Sequence, residues 1–165
     1  MKLRSRFEVD EEEMGCLRSV RLAALLLMLL ALIVGCSTST TTDDATQLTT
    51  EDKIFSLVNE ARVGNGLSPL VRVDTLDALA LEHSQDMAKT GILSHDGFET
   101  RADTIERSLG SSYVGENVAM GYESANAFVN GWLASPGHKA NIMNPSYCRT
   151  GIGYYESYAT QIFCD

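Results

Sequence analysis

The segment S-P-G-H-K-A-N-I-M, residues 135–143, holds one of only three histidines and one of only three prolines, just after the single tryptophan, Trp132. Ser135 is a favoured N-cap, and Pro136 suits the first helical position, where its missing N–H would have no partner. A helix opened there carries His138 in its first turn, where the positive end of the helix dipole disfavours imidazolium. A neutral imidazole can coordinate a metal or accept a proton. Helix architecture accounts for Ser135 and Pro136 but not for His138. A Ser135–His138 pair of nucleophile and base is disfavoured, because a capping serine aims its oxygen at the helix amides. The chain has no H-E-x-x-H, no G-x-S-x-G and no cysteine in a catalytic context.

The surrounding elements follow from periodicity. Thr50 can cap a helix with Ile54, Leu57, Val58 and Ala61 on one face, stopped by Gly64, Asn65 and Gly66. Asp74 caps a second, with Leu76, Leu79, Ala80, His83 and Met87 in register as far as Gly91. Within that apolar stripe His83 reads as a structural, half-buried histidine. I-L-S-H-D-G-F is a loop by its Ser, Asp and Gly content, and Thr100 caps a short helix through Ile105 and Leu109. The residues around Tyr113, Val114 and Val118 favour a strand framed by glycines. Ala125, Phe128, Val129 and Trp132 then fall at helical spacing, and Asn144-Pro145 ends the helix that carries His138.

At the N-terminus, an apolar run over residues 22–34 is short for a bilayer span and suits the core of a secretory signal. It closes on Ile33-Val34-Gly35-Cys36, which resembles a bacterial lipobox, so Cys36 is expected to be acylated and to anchor the chain in a lipid membrane. The organisation expected is a signal peptide over 1–35, a flexible Thr/Ser-rich tether over 36–49 and a single domain over 50–165. Five acids crowd the first thirteen residues, against the basic start such a signal needs, so Met14 is the expected true start. The five bases and five acids before Cys36 cancel, and the whole formal charge of −9 lies from Cys36 onward. An acidic domain excludes nucleic acid as a main partner. In an exported chain Cys148 and Cys164 are expected to form a disulfide between two β segments, contributing about 3 kcal/mol.

Four motifs carry a resemblance: S-H at 94–95, G-E-N-V-A at 115–119, W-x-x-S-P-G-H-K-A-N-I-M from Trp132, and T-G-I-G at 150–153 followed by T-Q-I-F. Together they resemble the bacterial branch of the CAP superfamily, the SCP-like relatives of cysteine-rich secretory and plant pathogenesis-related proteins. The resemblance implies an α+β fold, a three-layer α-β-α sandwich with a mainly antiparallel central sheet. It also implies a cleft formed by two histidines and two acids, which fall on His95, Glu116 and His138, with Ser135 where the second acid is expected. Two imidazoles and a carboxylate could hold a divalent cation such as zinc, with water completing the shell. Their separations of 21 and 22 residues mean that only folding could assemble such a site. The functions expected are an exported, lipid-anchored domain binding a small-molecule, lipid or envelope ligand in that cleft, a metal-assisted envelope hydrolase, or a structural envelope protein.

Overall fold

The computed structural model describes residues 48–165. The expected signal, the Met14 start, acylated Cys36 and nearly all of the tether lie outside the described residues. The elements run α1 (Thr50–Gly64), β1 (Val71–Arg72), α2 (Asp74–Thr90), α3 (Phe98–Leu109), β2 (Val114–Met120), α4 (Ala125–Ala134), α5 (Pro136–Ile142), β3 (Arg149–Tyr155) and β4 (Tyr158–Cys164). Three helix starts differ from expectation. Thr49, not Thr50, caps α1, because Asp52 three residues on completes a reciprocal capping box with it. Asp74 lies inside α2, whose cap residue is Val73, and α3 starts from left-handed Gly97 ahead of Thr100.

The four strands lie in the order β1-β3-β4-β2. β3 and β4 form a hairpin and β2 runs antiparallel to β4, but β1 pairs parallel to β3 through Val71 and Arg72. The sheet is therefore mixed, not purely antiparallel. A two-residue strand carries no hydrophobic period, which is why the sequence pattern does not reveal it.

Both faces of the sheet are covered. Ile54 and Val58 of α1, Phe128, Val129 and Trp132 of α4 and Ile142 of α5 bury themselves with Ile152, Ala159 and Phe163. Leu76 and Ala80 of α2 and Ile105 of α3 pack on the opposite side with Ile162 and Cys164. Alternation along β4 sorts its side chains between the two cores. β3 approaches α2 so closely that a β-carbon on Gly151 would stand 2.1 Å from the Leu76 carbonyl carbon, and one on Gly153 would stand 2.1 Å from the Leu81 nitrogen.

Arg62, buried in α1, fixes the segment beyond α5. Its guanidinium donates to the carbonyls of Ser68, Ile142, Asn144 and Tyr147 at 2.7–3.0 Å and 2.9 Å for Asn144. Charged donors make stronger bonds to carbonyls than neutral ones do. The chain leaving the His138 helix is thereby locked to α1.

The expected disulfide is not formed. The place opposite Cys164 in the β3–β4 register belongs to Arg149. Cys148 instead donates its backbone N–H to the Cys164 carbonyl at 3.0 Å, and no bridge joins the two in the structure. Cys164 is packed into the α2–α3 core, and burial raises its thiol pKa above the ordinary value.

Candidate functional site

Glu116 lies in mid-β2, and its side chain is 1 % exposed. A carboxylate removed from water to this extent requires donors. Arg101, in the first turn of α3, supplies two of them: Nε reaches Oε2 at 2.8 Å and Nη2 reaches Oε1 at 2.9 Å. The third donor is His95 Nδ1, 2.8 Å from Oε1. A carboxylate can only accept here, so the Nδ1 position of His95 holds a proton, and in the neutral ring Nε2 is the lone-pair acceptor. The His95 side chain is 52 % exposed, so a buried ion pair aims a half-exposed base.

A second histidine supports the loop. His83 is buried in α2, and its Nε2 donates to the Ser94 carbonyl at 2.8 Å, with Glu116 Oε1 3.8 Å away. The helical stripe explains its burial, and the bond to Ser94 places it directly beneath the residue before His95. It is structural, as expected, but the structure it holds is the loop of the site.

Helix α5 is joined to the same strand from the other side. Asn141 Nδ2 donates to the Glu116 carbonyl at 3.2 Å and to Asn117 Oδ1 at 2.9 Å, while Asn117 Nδ2 donates to the His138 carbonyl at 3.1 Å. Two hollows lie along β2. One, of about 300 Å³, is lined by His95, Phe98, Glu116, Asn141 and Tyr147. The other, of about 210 Å³, is lined by Leu93, Met120, Tyr122, Trp132, Ser135 and His138.

His95 and Glu116 are thus hydrogen-bonded partners, whereas Ser135 and His138 share the neighbouring hollow. Ser135 occupies the N-cap position of α5, but its hydroxyl makes no capping bond. Burial, followed by repulsion from His95, lowers the His138 pKa below the ordinary 6.5. This agrees with the neutral imidazole expected at a helix start, although desolvation is the leading cause.

The donor set does not fit a His95–Glu116–His138 metal centre. Both Glu116 oxygens already accept from Arg101 and His95, and among the described residues no three His, Cys, Asp or Glu side chains form a group able to hold an ion. Glu116 orients His95 instead of presenting itself.

A model of the cysteine-rich secretory protein family, CAP, matches residues 55–164. The chain belongs to that family. Its CAP domain is 36 % identical over 125 residues to YkwD of Bacillus subtilis (strain 168), covering 73 % of this chain and 48 % of YkwD, a protein described as uncharacterized. It is also 34 % identical to YlbC of the same organism, an uncharacterized membrane protein, over 71 % of this chain and 35 % of YlbC. The chain spans half or less of the length of these curated relatives. Among solved structures, an extracellular SCP-domain protein from Bacillus anthracis superposes with a TM-score of 0.65 at 32 % identity, covering 78 % of this chain and 45 % of that one. An outer surface protein from Borrelia burgdorferi shares the fold with a TM-score of 0.63 at 24 % identity, over 72 % of this chain and 96 % of that one.

Arg101 was not singled out by the sequence reading of the CAP domain, yet a signal for it existed. A cation in the first turn of a helix opposes the helix dipole and calls for a nearby anion. Here the anion is Glu116. No comparable signal marks His83, whose partner is a backbone carbonyl.

The depressed His138 pKa gives a testable pH response. Below the ordinary imidazole value of 6.5 the unfolded chain binds its proton before the folded CAP domain does, so this residue's contribution to stability is present above that pH and lost as pH falls through the folded pKa. An NMR titration is expected to place His138 below 6.5 and to move it upward in His95→Ala, where the repelling charge is gone. A His138 midpoint unmoved by that substitution would separate the two imidazoles.

Proposed function

We propose that the protein is an exported, lipid-anchored recognition protein of the cell envelope, whose CAP domain binds a ligand over His95, Glu116 and His138. The observation that carries this reading is the half-exposed His95 imidazole held by a buried Glu116–Arg101 pair. Such an arrangement fixes one acceptor nitrogen toward an open hollow at little entropic cost on binding. His138, whose pKa burial lowers, adds a second imidazole in the hollow it shares with Ser135. The apolar run ending at Cys36 supports export and acylation, and the extracellular description of the Bacillus anthracis relative supports export alone. An envelope hydrolase is the weaker reading, because Glu116, with both oxygens engaged, is poorly placed as a general base.

Mass spectrometry of the full chain, extracted from membranes in mild detergent, tests both halves. A diacylglyceryl group on Cys36 is expected, together with a retained molecule whose occupancy falls at least tenfold in His95→Ala and in His138→Ala. Equal retention by the wild type and both variants would remove the cleft from the proposal. An unmodified Cys36 would remove the anchor.

A further inference from the structure

β2 is an edge strand, bonded to β4 on one side only. The ladder determines which of its backbone groups point outward. Gly121 N–H bonds the Ser157 carbonyl at 3.0 Å and Asp165 N–H bonds the Tyr113 carbonyl at 3.3 Å. Both pairs extend the β2–β4 register, so Gly115, Asn117 and Ala119 exchange bonds with β4. In an antiparallel ladder the residues between them turn both backbone groups the other way. Glu116, Val118 and Met120 therefore direct N–H and C=O away from β4, at positions 6 %, 4 % and 44 % exposed.

Two of those carbonyls are already met, Glu116 by Asn141 Nδ2 at 3.2 Å and Val118 by Trp132 Nε1 at 3.3 Å. The outward N–H groups of Glu116, Val118 and Met120 have no protein acceptor among the described residues. The edge consequently presents mainly donors, repeating about every 7 Å along the strand. The two hollows sit at opposite ends of this row, one against residues 114–116 with His95 and the other against residues 118–120 with His138.

We propose that the cleft takes an extended peptide laid along the free edge of β2, with successive carbonyls received by the N–H groups of Glu116, Val118 and Met120. This rests on the cleft being the ligand site and names the ligand's class. Complementarity of charge and spacing selects the class. An extended peptide turns a carbonyl to the same side every second residue, at the repeat of the donors, and the negative carbonyl oxygens meet the positive ends of the N–H dipoles. A glycan chain has no backbone acceptor on that repeat. The hollow beside His138 exposes Leu93, Met120 and Tyr122 and suits an apolar side chain. The hollow beside His95, with Asn141 and Tyr147, suits a polar or aromatic one.

The test uses the full chain in detergent and a mixture of N-acetylated, C-amidated hexapeptides, from which the tightest binder is taken. At saturation the amides of Glu116, Val118 and Met120 are expected to exchange with deuterium at least tenfold more slowly, while Gly115 and Asn117, already in the ladder, keep their rates. Ester replacement at alternate backbone positions of the peptide weakens its carbonyl acceptors and is expected to weaken binding about five- to tenfold. Met120→Pro removes one outward donor at an exposed edge position, where proline is tolerated, and is expected to weaken binding by a similar factor. Met120→Ala loses the same side-chain contact in the His138 hollow but keeps the N–H, so it is the reference for the proline variant and should bind about fivefold or more tightly than Met120→Pro.

Unchanged exchange at all three amides with peptide bound would overturn the inference. So would protection of the cleft by an N-acetylated chito-oligosaccharide and by no peptide. If His95→Ala and His138→Ala abolish ligand retention while the three amides stay unprotected, the cleft reading stands and the peptide class falls. If neither substitution matters but the amides are protected, the edge binds peptide and the role assigned to the imidazoles falls.

Discussion

Glu116→Gln is expected to destabilise the domain by about 3–5 kcal/mol, the usual result of removing one partner from a buried ion pair. The carboxylate it replaces is 1 % exposed and the Arg101 side chain 12 %. The substitution therefore strands a guanidinium in a setting too dry to hydrate it, beside an amide with only one acceptor oxygen where there were two. For a domain of this size the unfolding temperature should fall by roughly 10 °C or more. A double variant, Glu116→Gln with Arg101→Met, should recover part of the loss by removing the stranded charge as well. Thermal unfolding of the three variants checks this. A single variant within about 1 kcal/mol of the wild type would mean that Arg101 finds water or another anion and that the pair does not organise the site.

Gly151→Ala is expected to cost about 3 kcal/mol or more, at the upper end of what overpacking does. The new β-carbon would meet the Leu76 carbonyl carbon at 2.1 Å and the Asp77 nitrogen at 2.3 Å, and these are backbone atoms that no rotamer change can move aside. The strand must leave α2 or the helix must shift. Either change reaches the site, because α2 also carries His83 and its bond to the Ser94 carbonyl. Gly137→Ala is the control: nothing lies within 4 Å of the added carbon, and its helical position favours alanine by about 0.5–1 kcal/mol. Denaturant unfolding of both separates steric contact from loss of backbone freedom. A tolerated Gly151→Ala would contradict the close approach of β3 to α2.

Most elements were legible in the sequence because each carries one unbroken period. The stripe Ala125, Phe128, Val129, Trp132 became α4 with all four residues buried. The left-handed Gly91 ends α2 where the pattern stops. Helix starts were less legible, since Thr49 and Thr50 offer the same hydroxyl and only the reach of Asp52 separates them. β1 was invisible, and Cys148 and Cys164 meet through their backbones without a bridge, at the end of the β3–β4 hairpin away from its turn. That turn places Glu156 and Ser157 at φ 44° and 68°, without the glycine that usually announces such a hairpin.

The site was legible only in part, for a related reason. His95, Glu116 and His138 were named through resemblance, since no local pattern links residues so far apart. What resemblance did not convey is the division of labour among them. Arg101 stands against Glu116, so the carboxylate acts as an orienting group, and the two histidines line separate hollows.

The tautomer of His95 is the most direct measure of that division of labour. Long-range ¹H–¹⁵N spectra of the neutral imidazoles, recorded on the full chain, are expected to show the His95 tautomer protonated on Nδ1, and to lose that preference in the Glu116→Gln, Arg101→Met variant. A His95 protonated on Nε2, or one whose tautomer is indifferent to Glu116, would show that the buried carboxylate does not set the imidazole facing the cleft.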